Sequence, residues 1–201
     1  MRRIVMFNRV SAEGYFATLD GKLDWTVPDQ DIDKAAMSGR AEYDTVLFGH
    51  RTYQMFESFW PHVTGDPETA PDPHAPGRRT PELRAMARML NQSKKLVFSR
   101  TRNQVTWNNS HVVRELDPRA IEAMKHESGK DMIIFGSGTI VSLLTEHRLI
   151  DEYQLIIGPV ILGNGRPLFT GVSKRLKLEL LEATPYSSGN LVLRYARSSA
   201  S

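Results

Sequence analysis

The chain has 201 residues, 40% of them hydrophobic and 24% charged, with 26 Lys and Arg against 23 Asp and Glu for a formal net charge of +3. That length supports one sizeable core, and the absence of cysteine excludes disulfides, thiolate nucleophiles and cysteine-ligated zinc or iron–sulfur centres. The mild basicity suits an anionic ligand, whereas the scattering of the cations argues against nucleic acid as a partner.

Residues 3–10 form the first expected strand. Asn8 and Arg9 interrupt its apolar run too early for a secretory signal. No apolar stretch approaches the ~20 residues of a membrane span. A cytoplasmic protein with no membrane partner is expected.

Residues 11–24 read as a loop with two glycines, and a helix opens near Pro28 and Asp29 and ends near Tyr43. Asp29, Asp31 and Asp33 crowd its first turn, where the helix dipole favours anions. Ile32, Ala35, Ala36 and Gly39 form its expected inner face. A short strand follows at 45–48, then a helix at 52–59. The stretch 61–81 holds six of the eleven prolines, which exclude helix interior and central strand. It reads as an excursion loop within a single domain spanning 1–201.

A helix is expected at 81–90, strands at 95–99 and 104–108, and a helix at 117–126 with Asp117 as cap and Pro118 at its first position. Further strands are expected at 132–135, 152–158, 176–183 and 191–196, the last two joined by a turn at 187–190. Apolar strands alternating with helices imply an α/β fold with a mostly parallel sheet covered on both faces. The closing antiparallel hairpin makes the sheet mixed.

Three strand ends carry chemistry-bearing residues. Gly136, Ser137, Gly138 and Thr139 lie between an apolar strand and a helix, where backbone N–H groups and the helix dipole favour a phosphate. Val141 stands where the dinucleotide fingerprint needs a third small residue, so a conventional Rossmann site is disfavoured. Gly49, His50, Arg51 and Thr52 repeat the arrangement, with either basic side chain suited to a ribose 2′-phosphate. Ser99, Arg100 and Thr101 place a guanidinium between two hydroxyls. Each segment alone is equally readable as a tight turn, a capped helix or a solvated strand end. Together they mark the carboxyl edge of the sheet, where open α/β sheets bind ligands.

These segments resemble the dihydrofolate reductase-like superfamily over nearly the whole chain. The resemblance is closest to the C-terminal reductase domain of the bifunctional riboflavin-biosynthesis deaminase-reductase and its stand-alone relatives. It is carried by GYFATLDGKLDW, VLFGHRTYQMF, LVFSRT and above all IIFGSGTIVSLLTEHRLIDEYQLIIGPVILGNGRPLF. The resemblance implies a three-layer fold with a mixed sheet of about eight strands, a small-molecule substrate, a homodimer and NADPH as cofactor. Gly49, His50, Arg51 and Thr52 would line the cofactor phosphates. Ser99, Arg100 and Thr101 would hold the adenosine 2′-phosphate, and Gly136 to Thr139 the pyrophosphate. The family has Arg directly after the glycine of its second segment, where this chain has His50 and then Arg51.

Dihydrofolate reductases carry Leu-Pro-Trp followed by an acidic residue early in the next helix. Here the segment is Leu23-Asp24-Trp25, and Gln30 falls nearest the acidic position with Asp29 and Asp31 beside it. Trp25, Asp29 and Asp31 are therefore the expected catalytic candidates, no metal being required. The same carboxylates are equally readable as stabilisers of the helix start. Two outcomes follow: a reductase acting on a ribosylaminopyrimidine, pterin or folate-like substrate, or a nucleotide-binding sensor on the same fold without robust catalysis.

Overall fold

The computed structural model describes residues 1–37, 42–65 and 80–198. Its frame is an eight-stranded sheet. In chain order the strands are β1 (Ile4–Val10), β3 (Tyr43–Gly49), β4 (Lys94–Phe98), β5 (Ser110–Val113), β6 (Asp131–Phe135), β7 (Glu152–Ile157), β9 (Leu178–Pro185) and β10 (Leu191–Arg197). Across the sheet they run β5-β4-β3-β6-β1-β7-β10-β9. All pairs from β5 to β7 are parallel, and β10 is antiparallel to both its neighbours. A small separate ribbon joins β2 (Tyr15–Ala17) to β8 (Arg166–Pro167).

The central strands are apolar on both sides because helices cover both faces. On one face, Ile4, Met6 and Ile134 pack with Ile121 of α5 (Pro118–His126) and Ile140 and Leu144 of α6 (Gly138–Glu146). On the other, Val46, Phe48 and Phe135 pack with Tyr53 of α2 (His50–Glu57) and Leu90 of α4 (Pro81–Gln92). Each large side chain buried there contributes about 1.5–3 kcal/mol. This is the expected three-layer α/β fold, including the C-terminal antiparallel pair.

Three local expectations need correction. Residues 104–108 form no strand: the Trp107 indole is buried, its Nε1 donates to Asn91 Oδ1 at 2.6 Å, and its backbone N–H is spent on the Tyr53 hydroxyl at 3.3 Å. Pairing with β4 starts only at Ser110. The helix expected from 52 begins at His50 and is followed by a separate short helix, α3 (Trp60–Val63), which admits Pro61 in its first turn. In α1 (Gln30–Met37), Ile32 is buried but Ala35 is exposed. The proposed continuation of that helix through Gly39, and residues 66–79 of the proline-rich stretch, lie outside the described residues.

Candidate functional site

The strand order brings three distant segments together. Because β4, β3 and β6 are consecutive in the sheet, Ser99, Gly49 and Gly136 end adjacent strands. Their side chains knit the ends to one another. The Gly49 N–H donates to Ser137 Oγ at 2.7 Å, and Ser137 Oγ donates to Thr52 Oγ1 at 3.0 Å. His50 Nδ1 lies 3.0 Å from Ser99 Oγ, which also accepts from the Arg102 N–H at 2.9 Å. Gly136 and Ser137 both adopt left-handed backbone, with φ of 57° and 60°. For Ser137 this costs about 1–2 kcal/mol, a strain of the kind that gathers at functional sites.

The two helix starts at this edge differ from those of α1, α4 and α5. Asp117 caps α5 and Thr80 caps α4 through side-chain hydrogen bonds, and Asp29 accepts from the N–H groups of Asp31 and Ile32 at the start of α1. Neither α2 nor α6 has a side-chain cap. At α6 the Ile140 N–H turns back to the Ser137 carbonyl at 2.8 Å, so the N–H groups of Gly138 and Thr139, with those of the first turn of α2, are left as donors beside the positive ends of two helix dipoles. Gly49 holds the cap position of α2, and Thr52, two residues into the helix, accepts from Ser137 Oγ.

The sequence candidates thus divide. Gly49, Thr52, Ser99, Gly136 and Ser137 hold the framework, with His50 tied to it. Arg51, Arg100, Thr101 and Thr139 are exposed, and neither guanidinium forms an ion pair with a described residue. Gly138 lets Phe16 of the opening loop close in: a Cβ there would stand 2.8 Å from the Phe16 ring.

Two residues missed in the sequence position Arg100. The Arg114 guanidinium donates to the carbonyls of Arg100 at 3.3 Å and Arg102 at 2.8 Å, and to Asn103 Oδ1 at 2.7 Å. Glu57 binds Arg102 at 2.5 Å and accepts from Thr106 N and Oγ1 and from the Tyr53 hydroxyl. Burial pushes the Glu57 carboxyl up, but these donors outweigh it and hold it at about 2. Neither residue carries a local motif; both act across long sequence separations.

The other side of the edge lies beyond β1 and β7. Trp25 packs against Gly158, where an added Cβ would stand 3.4 Å from its ring. With Arg9, Val27, Ile156 and Asn190 it lines a narrow crevice. The Trp25 indole N–H is buried without a partner among the described residues. Arg9 reaches the Val27 carbonyl at 3.4 Å and Asp33 at 3.5 Å, and burial lowers its guanidinium below its ordinary value. An arginine inside the apolar run IVMFNRV was the available signal for this position. Asp29 and Asp31 do not line the crevice, although Asp29 is close enough to Arg9 for the two charges to interact. Asp29 caps α1 and accepts from the Ser188 hydroxyl of the hairpin turn. The Asp31 side chain is 69% exposed and faces Lys34 at 3.5 Å.

The opening loop is latched over this edge. Glu13 accepts from the N–H groups of Leu162 at 2.5 Å and Gly163 at 3.0 Å, and Arg166 donates to the Leu19 carbonyl at 2.7 Å. With the β2–β8 pairing, these bonds fix Phe16 beside the start of α6.

Residues 2–192 match the model of the RibD C-terminal domain family. The chain belongs to this family. It is 27% identical over 194 residues to YyaP, an uncharacterized protein of Bacillus subtilis (strain 168), covering 96% of this chain and 94% of YyaP. Its fold is also that of a crystallised protein from Shewanella sp. PV-4 provisionally described as a riboflavin biosynthesis protein. That match has a TM-score of 0.69 and 22% identity, over 98% of this chain and 99% of the other. A pyrimidine reductase-like protein from Corynebacterium diphtheriae matches with a TM-score of 0.63 and 16% identity, over 98% and 92% of the two chains. The RibD-type, dihydrofolate reductase-like frame is therefore established, and among the described residues no helix is long and apolar enough to cross a membrane.

Proposed function

We propose that the protein is an NADPH-dependent reductase acting on a small polar heterocycle, of the ribosylaminopyrimidine, pterin or folate-like class. The observation that carries the reading is the pairing of two uncapped helix starts with two arginines, Arg51 and Arg100, that form no ion pair with a described residue, at three consecutive strand ends. Uncapped N–H groups suit pyrophosphate oxygens, and Arg100 or Arg51 suits a 2′-phosphate. The residues present therefore fit the cofactor. When bound, NADPH supplies a hydride. Phe16 of the latched opening loop packs beside Gly138 at the start of α6, while Thr139 of the same turn stays exposed. The Trp25 indole N–H has no acceptor among the described residues, which suits a substrate with a carbonyl or anionic oxygen.

A homodimer belongs to the same proposal. The edge strand β9 leaves Leu180 and Leu181 more than half exposed, an apolar pair that a second copy would cover. A cytoplasmic site of action is proposed with it.

The placement of Asp29 and Asp31 favours a second reading, a nucleotide-binding protein without turnover, since neither carboxylate is free at the crevice. One experiment separates the two. NADPH and NADH are titrated by fluorescence, and loss of reduced-nicotinamide absorbance is followed with dihydrofolate, pterins, the riboflavin-pathway ribosylaminopyrimidine and simple carbonyls. Tight NADPH binding with turnover supports the reductase. Binding without turnover supports the second reading, and failure to bind either nucleotide overturns both.

A further inference from the structure

We propose that the cavity beneath the loop of residues 169–177 is a second binding site, one that takes a small amphipathic anion with a flat apolar body. The cavity measures about 440 Å3, within the range of small-molecule sites. Its floor is Tyr153 of β7, whose hydroxyl is satisfied by Thr145 Oγ1 at 3.1 Å. Its wall is Phe169, 44% exposed, with its ring 6.2 Å from that of Tyr153 and tilted by 52°. The two rings make an open apolar corner, extended by Val172, Leu176 and Leu178.

The charge lies at the rim. Lys174 and Arg175 line the opening, and Arg175 has no partner among the described residues. The loop that carries them is held in place: Glu146 accepts from Ser173 Oγ at 2.6 Å and from the Ser173 N–H at 2.8 Å. An apolar corner of fixed shape, open to water and crowned by an unpaired guanidinium, fits a flat body with one carboxylate, sulfonate or phosphate head. A neutral apolar ligand would leave that cation unused.

The site is separate from the strand ends described above. Thr145 comes seven residues after Gly138 on α6, about 10 Å along the helix at 1.5 Å per residue. Occupation there and nucleotide binding at the start of α6 are therefore expected to be independent.

The test uses 8-anilinonaphthalene-1-sulfonate as a fluorescent probe on the full chain. The expected result is saturable binding at one site, with 2-naphthoate competing at least about tenfold better than the uncharged 2-naphthylmethanol. Arg175→Ala should weaken the probe about tenfold, the effect of losing one charge-assisted hydrogen bond, and Arg175→Lys should restore part of it. Val172→Trp should fill the corner and abolish binding, and saturating NADPH should leave binding unchanged. Arg175 is exposed, so its variants report even where Val172→Trp fails to fold. Equal competition by the charged and neutral naphthalenes, indifference to Arg175→Ala, or displacement by NADPH would each overturn the proposal. So would a sedimentation mass that falls in Val172→Trp, which would assign this face to a second copy of the chain.

Discussion

Gly136→Ala is the substitution that most directly tests the joined strand ends. Gly136 has φ 57°, and a Cβ placed on it would stand 3.1 Å from both Thr52 Cγ2 and Thr52 Oγ1. Two costs are combined there. The first is the left-handed backbone, about 1–2 kcal/mol for a residue with a Cβ. The second is displacement of Thr52 and, with it, the start of α2. Gly171→Ala carries the first cost alone, because its φ is 76° and its added Cβ meets nothing within 4 Å. At roughly 2–4 °C per kcal/mol for a chain of this size, Gly171→Ala should melt about 2–8 °C below the wild type, and Gly136→Ala lower still by the second cost. Only Gly136→Ala should also raise the NADPH dissociation constant, by about tenfold, or ~1.4 kcal/mol. Circular dichroism melts and fluorescence titration measure the two effects. Adding Thr52→Ser removes Cγ2 and should recover part of the melting temperature. If Gly136→Ala melts lower but binds NADPH as the wild type does, contact between the starts of α2 and α6 does not build the cofactor site.

Three further outcomes are expected. Arg100→Ala should weaken NADPH about tenfold or more while changing NADH little, as loss of a charge-assisted phosphate contact requires; equal losses would remove Arg100 from 2′-phosphate recognition. Glu57 is held at about 2 against an ordinary 4.5, so its stabilisation is complete above pH 4.5 and is lost as pH falls towards 2, in total about 3 kcal/mol. Glu57→Gln should flatten that acid limb in urea unfolding. Lys95 is fully buried, donates to the carbonyls of Leu90 and Ser93, and is pushed down by burial from 10.5 to about 8. The unfolded chain then holds the extra proton, so this group makes stability rise between pH 8 and 10.5. Lys95→Met should remove that rise, and an unchanged slope in urea unfolding would refute the assignment.

The edge formed by the glycine-bearing strand ends was legible because each of its parts is local. A strand of β-branched and aromatic residues, then glycine, then helix is a pattern within ten residues, and it recurs at Gly49 and Gly136. The parallel alternation then places all such ends on one edge. Even there, the reading could not say which groups face outwards. Ser99 and Ser137 looked like phosphate ligands, yet their hydroxyls join one strand end to the next. The strand expected at 104–108 failed for a related reason: an alternating apolar pattern does not reveal that one indole will leave the ladder and enter the core.

The substrate side was hard to read because nothing in it is local. Asp29 meets Ser188 across 159 residues, Trp25 rests on Gly158, and Glu13 holds Leu162 and Gly163. A carboxylate at a helix start has two possible uses, and only the distant hairpin turn decides between them. Once Ser188 and two backbone N–H groups take Asp29, and the Val27 carbonyl and Asp33 take Arg9, the Trp25 indole N–H is the crevice donor left without a partner among the described residues. A folate-type pocket, built around one carboxylate, would be the reverse. On the reductase reading, that single donor suits a substrate that brings its own oxygen acceptor, and a proton supplied by water or by the substrate rather than by Asp29 or Asp31 at the start of α1.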